Sequence, residues 1–518
     1  MAIRSILFGT SDGDAGSDAR GEPEHFQDLN LDQIVRAAAK AGGVPGLPRY
    51  FHRPLRDAGL VGFRQQIFRE LEDPAVREVA ERFTASMAGT RRRLEALERR
   101  KHPPQAHRWF LEIVLDHAAA VTGLVEGLEA AGATAAGLRA LRDDVAEHTR
   151  TAAFTGVREQ ALRLRERLGE VRYDLLVRGD RITVAEHDPD GRFDYAQRVL
   201  ATFDRFRQRS RQDRRGEPRP EPGLGLDFVE AGVLDLVVEL CPGVFRDLAA
   251  FFEANRGFVA DEITRVDHEL RFYLGYLSYL APLRVAGLPI CYPVVSGTDK
   301  TLVARDVYDL ALAAKLTGED GQGGRVVGND LSLDAAERVL VVSGPNQGGK
   351  TTLSRAFGQL YHLAALGCPV PGRDVRIFLP DRILTHYERA ERHDALASKL
   401  EEELLRMRAL LDRATPDSVI VLNEIFTSTT PDDARALSER VLAAITRLDV
   451  PCLWVSFVDE LSLLSPKAVS MVGTVADDGR ATRTYKVVRR AADGRAHALA
   501  LAERHGLTYA QLTERVRR

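Results

Sequence analysis

The segment from Gly344 to Thr351 has the residue types and the spacing of a phosphate-binding loop, GxxxxGK[ST]. Its glycines let the backbone turn closely around phosphate oxygens, so that several N–H groups can point at one anion. The side chain of Lys350 can reach the β- and γ-phosphates of a nucleotide, and the hydroxyl of Thr351 can hold Mg²⁺. The pattern predicts a site for ATP, to which we assign Gly344, Pro345, Asn346, Gln347, Gly348, Gly349, Lys350, Thr351 and Thr352.

A strand and a helix must hold this loop in position. The apolar residues 339–342 predict a buried strand before the loop, and residues 353–366 predict a helix after it. Strand, glycine loop and helix are the context that the motif requires, and the helix N-terminus adds partial positive charge where phosphate would lie. A glycine-rich turn that binds nothing is the alternative, and the agreement of pattern and context disfavours it.

A second pair of polar residues, Asn423 and Glu424, ends another apolar run, residues 418–422. In phosphoryl-transfer enzymes such a strand end normally carries an Asp for Mg²⁺ and a residue that orients the attacking water. Glu424 is therefore the candidate general base. Asn423 takes the position of the metal-binding Asp, and its amide can hold a metal-bound water without a full negative charge. A simple turn pair at a strand end is the alternative.

Composition limits the classes of protein that the chain can represent. A length of 518 residues predicts several domains, and 44% hydrophobic with 28% charged residues is ordinary for a soluble protein. The sequence has no apolar run long enough to span a bilayer and no signal-peptide core at its start, so we expect a cytoplasmic protein without membrane contacts. The four cysteines are far apart and favour neither disulfides nor a metal site.

The chain divides into a short start, a helical region and a mixed region. Residues 1–25 predict a flexible segment, and residues 26–284 predict a mostly helical domain with a β-hairpin near 172–187. Residues 285–518 alternate β-type runs with helical stretches, which favours a largely parallel sheet. Within this last domain we predict strands at 339–343, 418–423 and 451–457, a hairpin at 469–475 and 482–488, and terminal helices at 496–505 and 509–517.

Together these motifs resemble those of the MutS family. Residues 344–352 read GPNQGGKTT, which is similar to the family's GPNMGGKST, and Asn423-Glu424-Ile425 is similar to the start of its DEIGRGTST segment. Residues 394–398 resemble the signature region DDLASGRS, and residues 63–68, FRQQIF, resemble the start of the family's core domain. The motif set is specific, whereas the phosphate loop alone would not be.

The resemblance implies an α + α/β fold: a helical core and lever region with a small β insertion, followed by a C-terminal ABC-type P-loop ATPase domain. It further implies a homodimer in which Ser398 of one subunit contacts the nucleotide of the other, and it assigns Asn329 to the ATP site. Ser398 as a simple helix N-cap is the alternative, and the two roles are compatible. Because residues 63–68 lie close to the start of the chain, we expect it to lack the family's mismatch-recognition domain.

Three residues depart from the family pattern. Phe457 stands where the family has a histidine that contacts the γ-phosphate, Asn423 replaces the metal-binding Asp, and Val326 falls where an aromatic side chain usually contacts adenine. These departures affect hydrolysis more than nucleotide binding. We therefore expect a slow ATPase that uses Mg²⁺.

The nucleic-acid surface is predicted in an arginine-rich segment that precedes a stretch rich in proline and glycine. Arginine is a good ligand for phosphate, and such a run can hold a duplex without reading its sequence. A solvated segment balanced by nearby acidic residues is an equally good interpretation. The basic residues concerned are Arg207, Arg209, Arg211, Arg214 and Arg215.

The function predicted from the sequence is that of a MutS-like dimer that binds and hydrolyses ATP, binds DNA, and uses ATP to switch conformation. A nucleotide-gated scaffold for a protein partner, with little hydrolysis, is the first alternative, and Asn423 and Phe457 favour it. An ATPase that binds RNA or the ribosome is the second.

Overall fold

The computed structural model describes residues 3–10, 21–100, 102–178, 181–187, 228–318, 325–345, 348–388, 399–475, 483–491, 509, 512 and 513. The chain forms two compact units of mixed helix and sheet. The first contains Val79–Glu129 and Arg142–Thr264, and the second contains Ala2–Glu78, Ala130–Leu141 and Arg265–Arg518. Among the described residues, no helix is long and apolar enough to cross a membrane.

Helices and one hairpin build the first unit. Phe110 and Leu111 on one helix pack with Leu164 on a second and Phe251 on a third, and all four are buried. Leu111, Val114 and Leu115 are all buried, so this side of the first helix is a core face. Strands β1 (Tyr173–Arg178) and β2 (Arg181–Glu186) pair in antiparallel fashion where the sequence predicts a hairpin. The helices that lie almost wholly in this unit are Pro103–Ala130, Ala152–Glu170, Phe228–Leu240 and Pro242–Ala254, and most of Pro74–Leu97 and of Ala136–Arg150 belongs to it as well.

The remaining helices have the following bounds. In the N-terminal part of the chain they are His25–Asp28, Leu31–Gly42, Pro48–Phe51, Ala58–Glu70, Pro74–Leu97, Ala136–Arg150 and Asp261–Val285. In the C-terminal part they are Leu310–Thr317, Lys350–Ala365, Lys399–Arg413, Pro431–Leu448 and the 3₁₀ turn Asp459–Leu463.

Residues 3–8 are packed into the second unit, so the prediction of a flexible start is wrong for them. Ile6 and Leu7 are at most 1% exposed. The hydroxyl of Ser5 donates to buried Glu269 at 2.7 Å, and the guanidinium of Arg64 donates to the carbonyl of Leu7 at 2.8 Å. Glycine and acidic residues after position 10 suggested flexibility, whereas the short apolar run before them finds partners only in the folded unit.

The second unit contains a six-stranded sheet in the order β10-β11-β12-β7-β13-β14. Its first five strands run parallel to their neighbours, and β14 pairs with β13 in antiparallel fashion, as the alternation of strands and helices predicts. The strands are β7 (Val339–Ser343), β10 (Ile383–Tyr387), β11 (Val419–Asn423), β12 (Cys452–Val455), β13 (Ala468–Val475) and β14 (Arg483–Arg489).

A second sheet of four strands, in the order β4-β9-β5-β6, was not predicted from the sequence. Its strands are short, so each run of apolar residues is too brief to stand out. The strands are β4 (Val294–Ser296), β5 (Leu302–Val307), β6 (Asn329–Leu333) and β9 (Val375–Phe378). Two further strands, β3 (Ile290–Cys291) and β8 (Val370–Pro371), form a separate pair.

Candidate functional site

The glycine loop lies between β7 and the helix Lys350–Ala365, at the carboxyl edge of the six-stranded sheet. Gly344 has a φ of +133°, and a Cβ placed on it would lie 2.9 Å from the backbone nitrogen of Gly473 on β13. Gly349 has a φ of +91°, which side chains rarely tolerate. Glycine is therefore required at both ends of the loop for steric reasons, which leaves its backbone free to turn tightly.

The ammonium group of Lys350 lies inside this loop. It donates to the carbonyl oxygens of Gly344 at 3.0 Å and of Pro345 at 3.3 Å. It also lies 3.8 Å from Oε1 of Glu424, and only 3% of the lysine side chain is exposed. Burial lowers the pKa of Lys350, and the nearby carboxylate of Glu424 opposes that shift. The lysine is thus held in one position, with its charge directed at the predicted base.

Asn423 is the last residue of strand β11 and Glu424 follows it, and the two side chains lie in different environments. Asn423 is 6% exposed, and its Oδ1 has no hydrogen-bond partner among the described residues. Glu424 has a left-handed backbone with φ of +53°, and its N–H donates to the carbonyl of Val455 on β12 at 3.0 Å. The unusual backbone turns the Glu424 side chain into the pocket that Lys350 also lines.

That pocket has a volume of about 460 Å³ and lies beside the glycine loop. This is within the range of sites for small molecules, about 300–1,000 Å³. One side is polar, with Lys350, Thr351 and Glu424, and the other is apolar, with Leu312 and Val326. Its further lining residues include Tyr308, Asp309, Leu316, Val327, Asn329, Gly349, Thr352 and Tyr485. The division suits a ligand with one anionic end and one flat apolar end.

Asn329, which the sequence analysis places in the ATP site, also has a structural task. Its Oδ1 accepts from the N–H of Val487 at 2.8 Å, and its Nδ2 donates to the carbonyl of Tyr485 at 3.2 Å. These two bonds fix strand β14 beside the pocket. Tyr485 itself has a left-handed φ of +57° and is 47% exposed at the pocket wall.

Tyr485 was not predicted from the sequence. Val326 stands where an aromatic side chain would contact adenine, and Tyr485, which is aromatic, lines the same pocket. An aromatic residue on a hairpin strand has no spacing that marks it, because its position near the loop depends on the pairing of β13 with β14. Only its aromatic type within an otherwise polar run could have suggested it.

Several predicted site residues lie outside the described part of the chain. They are Asn346 and Gln347 of the loop, Ser398 with the signature segment 394–398, and the five arginines Arg207, Arg209, Arg211, Arg214 and Arg215. The predicted terminal helices also lie outside it, apart from residues 509, 512 and 513. The assignments of these residues stay predictions.

The donor atoms present would suit Mg²⁺. The hydroxyl of Thr351 and the unpartnered Oδ1 of Asn423 are neutral oxygen ligands of the kind that this ion accepts. No group of three or more His, Cys, Asp or Glu side chains that could hold a metal occurs among the described residues.

Comparison with known proteins shows what the C-terminal part of the chain is similar to. The family MutS domain V matches residues 340–514. An endonuclease MutS2 from Gemmatimonas aurantiaca is 30% identical over 185 residues, which are 35% of this chain and 22% of the relative. An endonuclease MutS2 from Thermus thermophilus is 30% identical over 183 residues, 35% of this chain and 24% of the relative.

A DNA mismatch repair protein MutS from Halalkalibacterium halodurans is 28% identical over 189 residues, which are 36% of this chain and 22% of the relative. The matched segment thus spans less than a quarter of each of these curated relatives. The match to MutS domain V, residues 340–514, contains the glycine loop from Gly344 onward, Asn423, Glu424 and Tyr485. The C-terminal part of the chain, residues 340–514, is thus similar to domain V of MutS proteins.

Proposed function

We propose that the protein binds ATP in the pocket beside the glycine loop and hydrolyses it slowly. The observation that carries the proposal is the approach of the Lys350 ammonium to the Glu424 carboxylate, 3.8 Å apart at the polar end of one pocket. A cation fixed by loop carbonyls can bind phosphate oxygens, and a carboxylate beside it can accept a proton from water. The match of residues 340–514 to MutS domain V supports the same proposal.

Each residue then has a stated task. The loop N–H groups and Lys350 bind the phosphates, while Glu424 takes the proton from the attacking water. The apolar wall at Leu312 and Val326 binds the adenine ring of ATP, and the ring of Tyr485 can stack on that adenine. When bound, Mg²⁺ would add positive charge at the phosphates, with Thr351 and Asn423 as its protein contacts.

Asn423 is the reason to expect slow turnover. An amide oxygen carries only a partial charge, so it holds Mg²⁺ less firmly than the carboxylate that usually stands at such a strand end. Binding depends mainly on the loop and Lys350, and it should be affected less. We also propose that the C-terminal domain is an ABC-type P-loop ATPase domain.

We further propose that the protein works as a homodimer that binds DNA and changes conformation with ATP. Ser398 would contact the nucleotide of the partner subunit, and the arginines Arg207, Arg209, Arg211, Arg214 and Arg215 would contact DNA phosphates. The relatives named as endonuclease MutS2 and DNA mismatch repair protein MutS support a role near DNA.

The alternative is a nucleotide-gated protein scaffold with little hydrolysis. Two residues favour it: the amide Asn423 at the end of β11, and Phe457, which cannot donate a hydrogen bond to phosphate. An ATPase directed to RNA or the ribosome is a further alternative that no described contact favours.

Glu424→Gln separates the ATPase from the scaffold. The change removes the base and preserves side-chain size, so ATP affinity should stay within about threefold while hydrolysis falls by about 10²-fold or more. The measurement combines equilibrium binding with phosphate release, with and without duplex DNA, and Glu439→Gln on an exposed helix face is the control. Equal hydrolysis by wild type and Glu424→Gln would remove Glu424 as the base, and wild-type hydrolysis at background level would favour the scaffold.

A further inference from the structure

The ring of Phe457 lies against the ammonium group of Lys350. Nζ of Lys350 is 5.4 Å from the centroid of the ring, a distance at which an aromatic face attracts a cation. Phe457 comes two residues after β12 and is 52% exposed. A side chain so exposed contributes little to the hydrophobic core, and one face of its ring lies toward the lysine.

The surroundings of the ammonium group divide into two halves. Its three N–H donors have two carbonyl acceptors in the glycine loop, Gly344 at 3.0 Å and Pro345 at 3.3 Å. Elsewhere around the ammonium, the Glu424 carboxylate lies at 3.8 Å and the centroid of the Phe457 ring at 5.4 Å. Because the lysine side chain is 3% exposed, the carboxylate and the ring stand where water would otherwise solvate the cation.

We propose that Phe457 is a positioning residue that holds Lys350 against Glu424 in the nucleotide-free protein and releases it when a nucleotide phosphate binds. This inference rests on the proposed function and concerns how that site is regulated. The loop carbonyls keep the lysine in place in both states. The ring and the carboxylate are the partners that a phosphate replaces.

The exchange gives the site a defined resting state. While the Glu424 carboxylate faces the ammonium, the charges of the two groups offset each other and the carboxylate is held toward the cation. A phosphate that takes over the cation leaves the carboxylate available for the attacking water. The ring adds to the stability of the resting arrangement because its attraction to the cation is strongest where water is excluded.

The consequence for affinity has a definite sign. A contact present only in the nucleotide-free protein opposes binding, because binding must break it. Removing the aromatic face while keeping an apolar side chain should therefore tighten ATP binding by about three- to tenfold. A larger aromatic face should weaken it.

The test compares Phe457→Leu, Phe457→Tyr and Phe457→Trp by titration with MgATP. We expect Leu to bind more tightly than wild type, Tyr to match wild type, and Trp to bind more weakly, since indole attracts cations best. Leu463→Ala is the control, because Leu463 is an exposed apolar residue, 74% exposed, on the same segment. A residue that acted only through its bulk would give effects that follow side-chain size, with Leu and Tyr on opposite sides of Phe.

A second measurement needs no nucleotide. The rate at which an amine-reactive reagent modifies Lys350, followed by peptide mass spectrometry, should rise several-fold in Phe457→Leu and stay unchanged in Leu463→Ala. An unchanged labelling rate would show that the ring does not shield the lysine and would overturn the inference. So would ATP affinity in Phe457→Leu that equals or falls below that of wild type.

The two proposals fail in different ways. Wild-type protein that binds no nucleotide refutes the proposed function and the release step with it, whatever the labelling shows. Wild-type protein that binds ATP, with labelling and affinity unchanged in Phe457→Leu, refutes only the role of Phe457. If the leucine variant is unstable, Phe457→Trp still tests the proposal, because it should bind ATP more weakly than Phe457→Tyr and wild type.

Discussion

Asn423 shows how one atom of difference changes the chemistry of a site. Its side chain is buried, and its Oδ1 has no hydrogen-bond partner among the described residues. A buried polar atom without a partner costs free energy, about 1–3 kcal/mol, unless water or a ligand satisfies it. A neutral amide bears this cost better than a carboxylate would, because an unpaired buried charge is more costly still.

Asn423→Asp should therefore affect thermal stability differently in the absence and in the presence of Mg²⁺. In the absence of Mg²⁺ the buried carboxylate should lower the midpoint of thermal unfolding, whereas with MgATP the midpoint should recover. The Mg²⁺ concentration for half-maximal ATP binding should fall by about tenfold. Melting curves with EDTA and with MgATP measure both effects, and an unaltered Mg²⁺ dependence would mean that the side chain does not face the ion.

Lys350→Ala tests the loop itself. The loss of the cation that faces the phosphates should lower ATP affinity by about 10²-fold or more, because charge-assisted hydrogen bonds contribute about 1.5–3 kcal/mol each. Lys40→Ala, on the exposed side of Leu31–Gly42, is the matched control and should bind as wild type. Wild-type affinity in Lys350→Ala would contradict the assignment of the phosphate site.

At the scale of elements, the helix Lys350–Ala365 begins at the glycine loop and ends among buried histidines. Its residue His362 is fully buried, with Nδ1 3.2 Å from Nε2 of His25 and Nε2 2.9 Å from the carbonyl of Phe51. Burial lowers the pKa of His362 from 6.5 to about 4, and burial and the neighbouring His362 lower the pKa of His25 as well. Both rings are thus neutral in the folded protein near pH 7.

This packing predicts loss of stability in weak acid. The unfolded chain binds a proton at His362 near pH 6.5, whereas the folded chain does so only near pH 4. The stabilising difference is fully present above pH 6.5 and decreases by about 1.4 kcal/mol for each pH unit down to pH 4. Urea unfolding at pH 7.5 and pH 5.5 measures it, and His362→Leu should show a smaller decrease between the two. An equal decrease in both proteins would place the acid sensitivity elsewhere.

The elements of the site differ in how far the sequence predicts them. Strands β7 and β11 are continuous apolar runs, and the structure places them at Val339–Ser343 and Val419–Asn423, within one residue of the prediction. The predicted strand at 451–457 ends at Val455, so Phe457 lies beyond it. The four-stranded sheet escaped prediction because its strands are short, and Tyr485 escaped because pairing across a hairpin determines its place.

At the scale of the whole molecule, the motifs identify one domain much better than they identify the rest. MutS domain V matches residues 340–514, and the relatives named above match about a third of the chain. Local motifs carry this information because phosphate chemistry restricts residue types and spacing. A helical unit requires only apolar residues at helical spacing, which many sequences satisfy. What the helical unit of this protein binds is therefore the hardest feature to predict from the sequence.

The arginine-rich segment provides the test at this scale. Neutralising Arg207, Arg209, Arg211, Arg214 and Arg215 to glutamine should weaken binding to duplex DNA and flatten its dependence on salt. Each phosphate contact that is lost should reduce the slope of log K against log salt by about 0.9. Binding should fall alike for all DNA sequences, because phosphate contacts carry no base information. Anisotropy titrations at several salt concentrations give the slope.

A control with equal charge change distinguishes a local surface from a general effect of charge. It replaces Arg91, Arg92, Arg93, Arg99 and Arg100, a stretch in which Arg93 pairs with Asp116 at 2.6 Å and Arg100 stacks on Trp109. Arginines already engaged within the unit should contribute little to the slope, so the control should resemble wild type. If both variants lose binding equally, net charge alone explains the effect. If neither changes, the arginine-rich segment is a solvated part of the chain, and a protein partner becomes the better explanation for what the proposed ATP-driven switch controls.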